Sequence, residues 1–175
     1  MASSRGNPDM GDIVRSVVVI GVILLGLWGF GKLFTQTPEQ PVSSVDYQQV
    51  VDDVRSSSDV EILAPPSLPE GWRATSARYE PGAGGTVGTW NLGVLTDDDQ
   101  YLGVEQSSLS VERAFDRWAE DGQDAGSADV AGQVWSVRVG PDDRTTYVTR
   151  EDGRTTLVTG TVAPDRLEAY ISSLR

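Results

Sequence analysis

Catalytic chemistry in this chain would have to run on carboxylates. Histidine and cysteine are both absent. A Ser-His-Asp triad therefore cannot be assembled, and thiol catalysis and His/Cys zinc sites are excluded with it. Of the 14 basic residues only Lys32 is a lysine, and it closes an apolar run, so a Ser-Lys dyad has no second member near it. Neither GxxxxGK[ST] nor GxGxxG occurs, which removes the usual phosphate cradles. A glycosidase-type pair needs one carboxyl in an apolar pocket. Glu70 beside Trp72, and Glu105 within an alternating segment, are the two candidates. Their plainer readings are a solvated turn residue and an exposed strand position, so no catalytic, cofactor-binding or metal-binding residue is assigned.

Other clusters reduce in the same way. Asp97-Asp98-Asp99 and Asp142-Asp143 supply the hard oxygens that Ca²⁺ takes, but neither has the spaced D-x-D-x-D-G loop, and acidic turns are expected instead. Gly82 to Gly85 reads as a flexible loop. Trp72, Trp90, Trp118 and Trp135 would make a sugar or peptide platform if two were exposed together. Each falls on the apolar phase of its own segment, which places it in the core. Thr145, Thr146, Thr149, Thr155, Thr156, Thr159 and Thr161 favour extended backbone and read as a solvent-facing sheet surface.

The segments that carry these residues follow from periodicity. Ser43 or Ser44 can cap a helix with Tyr47, Val50, Val51 and Val54 on one stripe. Val60 to Ala64 is a short extended run ended by two prolines. LPEGWR (Leu68 to Arg73) is a tight turn in which Pro69 presets φ and Gly71 takes φ > 0, and a strand follows from Trp72 to about Tyr79. From Val87 to Ser107 a hairpin is expected, with Trp90, Leu92 and Val94 answered by Leu102, Val104 and Gln106 across the aspartate turn. Ser110 opens a second helix bearing Ala114, Phe115 and Trp118, ended by Gly122. From Val130 strands and turns alternate through Trp135, Val137, Val139, Pro141 to Asp143, Tyr147, Val148, Glu151 to Gly153 and Leu157 to Val162. Pro164 then starts a helix with Leu167, Ile171 and Leu174 on one stripe. The order is α-β-β-β-β-α-β-β-β-β-α. It implies an α+β domain, a mainly antiparallel sheet packed on one face by about three helices.

Ahead of this domain lies a different kind of sequence. Val17 to Gly31 is 15 residues without a charge. Taken from Ile13 to Phe34 the run would make a helix of about 33 Å, enough for a bilayer core of roughly 30 Å. Arg15 and Lys32 sit where long side chains snorkel; Trp28 and Phe34 suit an aromatic belt. Pro38 disfavours cleavage after Thr35 and Thr37, so an uncleaved anchor is expected over a signal peptide. The expected layout is a cytoplasmic tail (1–12), a transmembrane helix (13–34), a polar linker (35–43) and an extracytoplasmic domain (44–175). Orientation rests on Arg5 and Arg15 against Lys32.

Charge sharpens the contrast. The chain has a net charge of −12, yet residues 1–34 carry +1 (3 basic, 2 acidic), leaving −13 for residues 35–175 (11 basic, 24 acidic). Such a domain repels phosphate backbones, so nucleic acid is not expected as a partner. The bilayer, through residues 13–34, and an envelope protein or small ligand are.

One resemblance spans nearly the whole chain. DMGDIVRS (Asp9 to Ser16) runs into the apolar span; ILAPPSLPEGWRATSARYEP (Ile62 to Pro81), VEQS (Val104 to Ser107), VAGQVWSV (Val130 to Val137) and LVTGTV (Leu157 to Val162) follow in order. This pattern resembles the actinobacterial family of membrane-anchored proteins known as domain of unknown function 4245. The resemblance implies a membrane-bound envelope protein without assigned activity, and carries over no catalytic residue. The expected function is non-catalytic binding of an envelope component, with a small-ligand or lipid-binding domain as the alternative and a carboxylate-dependent envelope hydrolase third.

Overall fold

The computed structural model describes residues 18–21, 44–57, 60–82 and 88–175. The chain divides into two units, Met1–Val42 and Ser43–Arg175. In the first, residues 18–21 are helical. The expected tail, linker and most of the span at 13–34 lie outside the described residues. Among the described residues no helix is long and apolar enough to cross a membrane.

Among the described residues the second unit holds three α-helices, α1 (Tyr47–Ser57), α2 (Val111–Trp118) and α3 (Pro164–Ser173). Its seven strands are β1 (Arg73–Glu80), β2 (Thr89–Leu95), β3 (Tyr101–Ser107), β4 (Gln123–Val130), β5 (Gln133–Val139), β6 (Thr145–Glu151) and β7 (Arg154–Gly160). They form one sheet in the order β1-β2-β3-β7-β6-β5-β4, with every neighbour antiparallel. Two meanders are thus joined at β3 and β7, and each ends in an outer edge strand.

Side-chain alternation assigns the two faces. Trp90, Leu92 and Val94 of β2 lie beside Leu102, Val104 and Gln106 of β3 as expected, and continue into Val158, Tyr147, Val137 and Trp135. This face packs against Tyr47, Val51 and Val54 of α1 and Leu167, Tyr170 and Ile171 of α3 in one buried cluster. The other face carries α2. Ala114 and Phe115 sit on Val148 and Leu157 in a second, smaller cluster. The expectation of helices on one face is therefore corrected. With β6 and β7 interior to a seven-stranded sheet, Val148 and Leu157 project opposite to the main core and need a cover of their own.

The same fact overturns the solvent-facing threonines. Thr145, Thr146, Thr155, Thr156 and Thr159 are buried. Four of these hydroxyls are paired inside: Thr146 and Thr159 share a hydrogen bond of 2.9 Å, Thr156 accepts from Gln106 Nε2 at 3.3 Å, and Thr155 donates to Leu109 O. Burial without these partners would be costly.

Local signals hold elsewhere, with three corrections. Asp46, rather than Ser44, accepts from the first turn of α1, at 3.3 Å from the Gln49 amide, and Ser43 lies outside the described residues. Val60 to Ala64 is extended but is not a strand; Ala64 instead exchanges two backbone bonds with Arg175, at 3.2 and 3.1 Å. Strand β4 begins at Gln123, well before Val130, in a segment (QDAGSADV) whose side chains are almost all exposed and so show no alternation to read. Ser110 caps α2, its side chain accepting from Arg113 N at 3.3 Å, and Pro164 opens α3. The 152–153 turn has φ of +48° and +79°, the primed geometry that a two-residue hairpin needs.

Candidate functional site

The LPEGWR turn forms as read: Trp72 N–H bonds to Pro69 O at 3.1 Å and Gly71 has φ of +82°. Its surroundings account for the aspartates. Arg166 of α3 pairs with Asp97 at 2.8 Å and Asp98 at 3.1 Å, and Arg73 pairs with Asp99 at 2.9 Å. The Arg166 guanidinium also lies 4.9 Å from the centre of the Trp72 ring, which tilts against Tyr170 at 6.1 Å. Hydrogen bonding from Thr96 and the Arg166 charge hold Asp98 below the usual carboxylate range. The acidic turn is thus a clasp that joins the hairpin, the start of β1 and α3. Asp142 and Asp143 stay exposed in a short 3₁₀ turn, both with positive φ.

The tryptophans divide. Trp90 is fully buried, its Nε1–H donating to Leu63 O at 2.9 Å, and Trp135 is buried as well. Trp72 and Trp118 are only partly covered.

Glu70 and Glu105 are not brought together. Glu70 is exposed in the turn before β1, whereas the register sets Glu105 opposite Asn91, which is opposite Arg78 at the far end of β1. Five residues of strand, roughly 17 Å, separate Arg73 from Arg78. Glu105 nevertheless departs from its expected exposure. It is half-buried on the face opposite the main core, in a groove of about 580 Å³. Asn91, Arg78, Ser76 and Thr75 line the floor, and Arg117 and Trp118 of α2 form a wall.

The groove exists because α2 is short. Its 8 residues cover Val148 and Leu157 but leave β1 to β3 open on that side. Small residues and one aromatic take over there. The Tyr101 ring lies across Gly103 and reaches Gly93: a Cβ added at Gly103 would meet Tyr101 Oη at 2.7 Å, and one at Gly93 would meet Ser76 Oγ at 2.6 Å. Arg144 stands 6.0 Å from the Tyr101 ring centre. Ser76 Oγ donates to Asn91 Oδ1 at 3.3 Å, and Asn91 Nδ2 donates to Glu105 Oε1. Burial lifts the Glu105 carboxyl above its ordinary range, opposed by the Asn91 bond and the Arg117 charge. Burial and the Glu105 charge likewise push the Tyr101 phenol up.

Asn91, Ser76, Arg78 and Arg117 carry no signature of their own. One signal was present for the first: a hairpin that pairs Leu92 with Val104 must set Asn91 opposite Glu105.

The family whose model matches residues 5–174 is described as a protein of unknown function (DUF4245). The chain belongs to this family. The match takes in the LPEGWR clasp, both meanders and the groove, so all of these are parts of the family's own domain. No curated protein matches the chain.

Proposed function

We propose that this member of the family is a non-catalytic binding protein of the cell envelope, tethered by residues 13–34, whose domain takes a ligand or partner in the groove above Arg78, Asn91 and Glu105. The observation that carries the reading is the half-buried Glu105 carboxylate, held by Asn91 on a stretch of sheet that no helix among the described residues covers. Keeping a charge partly desolvated costs stability, and folds retain such groups where they meet something. The tether rests on the apolar run from Ile13 to Phe34 and on the opposite charge balance of the residues that follow it.

Binding is favoured over hydrolysis because the groups that act on Glu105 are the Asn91 amide and the Arg117 charge, not a second acid, whereas glycosidases set two carboxyls to work on one bond. A lipid-binding reading draws less support, since Arg78, Asn91, Glu105 and Arg117 interrupt the apolar lining that Val45, Ala77 and Trp118 supply.

The test uses the full chain in lipid nanodiscs, sedimented with an isolated cell-wall fraction, beside the variant Ser76→Trp. Ser76 is exposed on β1, so a bulky ring there fills the groove and spares the core. Retention of the parent chain and its loss in the variant support the reading. Equal behaviour of the two overturns it. A reporter fused after Arg175 that is active only inside the cell removes the extracytoplasmic placement.

A further inference from the structure

We propose that the groove recognises a neutral, polyhydroxylated ligand, a short stretch of uncharged glycan, with Asn91 and Glu105 reading adjacent hydroxyls and Trp118 forming an apolar wall. The inference rests on the binding reading above and adds to it the class of ligand.

Charge is the first argument. The domain is strongly acidic, yet the groove is balanced: Arg78 and Arg117 stand against Glu80 and Glu105. An anionic polymer would have to approach the two carboxylates, and a cationic one the two guanidiniums. Either polymer meets like charge as well as opposite charge, so its net Coulomb gain in the groove is small. A neutral ligand has no such conflict.

Hydrogen-bonding capacity is the second. Ser76 Oγ, the Asn91 amide and Glu105 Oε1 form a directed chain, each donating to the next. Among the described residues nothing donates to Glu105 Oε2, and it is not one of the fully buried unpaired atoms, so it is open to whatever enters the groove. A hydroxyl is the donor that satisfies it without adding charge, and the same hydroxyl can accept from Asn91 or Arg117. Planar amide and carboxylate groups that present two atoms side by side fit neighbouring hydroxyls on one ring. The indole of Trp118, which carries the Arg117 guanidinium 5.2 Å from its ring centre, lines the groove and supplies apolar surface beside that charge for the C–H face of such a ring. The volume of about 580 Å³ lies within the size range of small-ligand sites.

An extended peptide is the competing occupant, and the edge of the sheet argues against it. Peptides that add to a sheet need a free row of backbone groups. Along β1 that row is broken by a bulge between Ala74 and Ser76, and Ala74 O is already taken by Val45 N at 2.9 Å.

The experiment is a calorimetric and tryptophan-fluorescence titration of the full chain in nanodiscs. The probes are neutral hexasaccharides of glucose, mannose and galactose, a Gly-Ser-Asn hexapeptide, and an anionic polysaccharide. At least one neutral hexasaccharide should bind saturably. Glu105→Leu should weaken that binding about tenfold, because it removes the acceptor and leaves the hydroxyl unpaired. Glu105→Gln should hold affinity within about threefold, since a carboxamide still pairs with a hydroxyl. Circular dichroism melts confirm that each variant is folded. Hexasaccharide binding that survives both Glu105→Leu and Ser76→Trp lies outside the groove and overturns the inference. Binding of the peptide or the anionic polymer alone, abolished by Ser76→Trp, overturns the glycan class and leaves the groove reading standing. If no probe binds and Ser76→Trp also leaves wall retention unchanged, both fall together.

Discussion

A single row across the sheet contains both kinds of surface in this domain. It runs Arg78, Asn91, Glu105, Leu157, Val148 from β1 to β6, with each residue paired to the next and all on the same face. At Leu157 and Val148 the row is roofed by Phe115 and sealed. One strand earlier no helix among the described residues roofs it, and the residues become a carboxylate, an amide and a guanidinium. Backbone geometry is the same throughout. What changes is whether a helix is overhead, and the side chains follow the cover. The reverse side of the sheet, under α1 and α3, is apolar nearly from end to end.

The largest expected effect lies on that reverse side. Trp90→Ala removes a fully buried ring and its bond to Leu63 O, and should cost about 3–5 kcal/mol in urea unfolding. A loss below half of that would mean the main core is looser than its burial implies. Next comes the roof itself. Phe115→Ala should cost about 2–3 kcal/mol, less than Trp90→Ala because its cluster is smaller and the Arg138 guanidinium, 4.2 Å from the ring centre, can settle into the gap. If Phe115→Ala proved the more damaging, the roofed half would be the true centre of stability.

Two tyrosines refine the contrast within the apolar side. Tyr147 Oη donates to Glu168 at 2.8 Å, whereas the buried hydroxyl of Tyr170 has no hydrogen-bond partner among the described residues. Tyr147→Phe should lose about 1 kcal/mol, and Tyr170→Phe nothing or a slight gain. Burial and the Glu168 bond push the Tyr147 phenol up from 10.0 to about 12. A raised folded pKa stabilises the neutral fold, so this contribution is intact below pH 10 and is lost as pH climbs toward 12. The Phe variant should lack that part of the alkaline decline in a pH series of melting curves.

The smallest effect belongs to the open half. Glu105 also has a raised folded pKa, but here the ionised form present at neutral pH is the disfavoured one. Its cost is absent below the ordinary carboxyl range and develops as pH rises through the folded value. Glu105→Gln should therefore stabilise the domain at pH 7, by less than about 1 kcal/mol given the solvent in the groove, and the gain should shrink at pH 4. Destabilisation instead would make Glu105 a structural residue and weaken the case for the groove.

Much of this architecture was readable in advance, and the reasons are local. The hairpin through Trp90 and Leu102 has strict alternation about an aspartate turn. The helix at Tyr47 keeps its stripe, and Pro69-Glu-Gly71 dictates its own turn. Strand β4 was illegible because edge strands with both faces wet need no alternation. The threonines misled because β-branched polar residues suit a wet face and an interior strand with satisfied hydroxyls equally well.

The chain alone settles what this domain cannot use: no imidazole, no thiol, and its single lysine outside the residues that fold as the domain. It also settles strand pairing within the β2-β3 and β6-β7 hairpins, since turn length and alternation are properties of neighbouring residues. Only the tertiary structure decides that the two meanders join at β3 and β7, that α2 crosses to the opposite face, and that it stops short of Glu105. Those outcomes depend on which distant apolar surfaces find each other. Segments far apart in the chain carry no local mark of where they will meet, so Glu105 shows its half-buried place only once the sheet is closed around it.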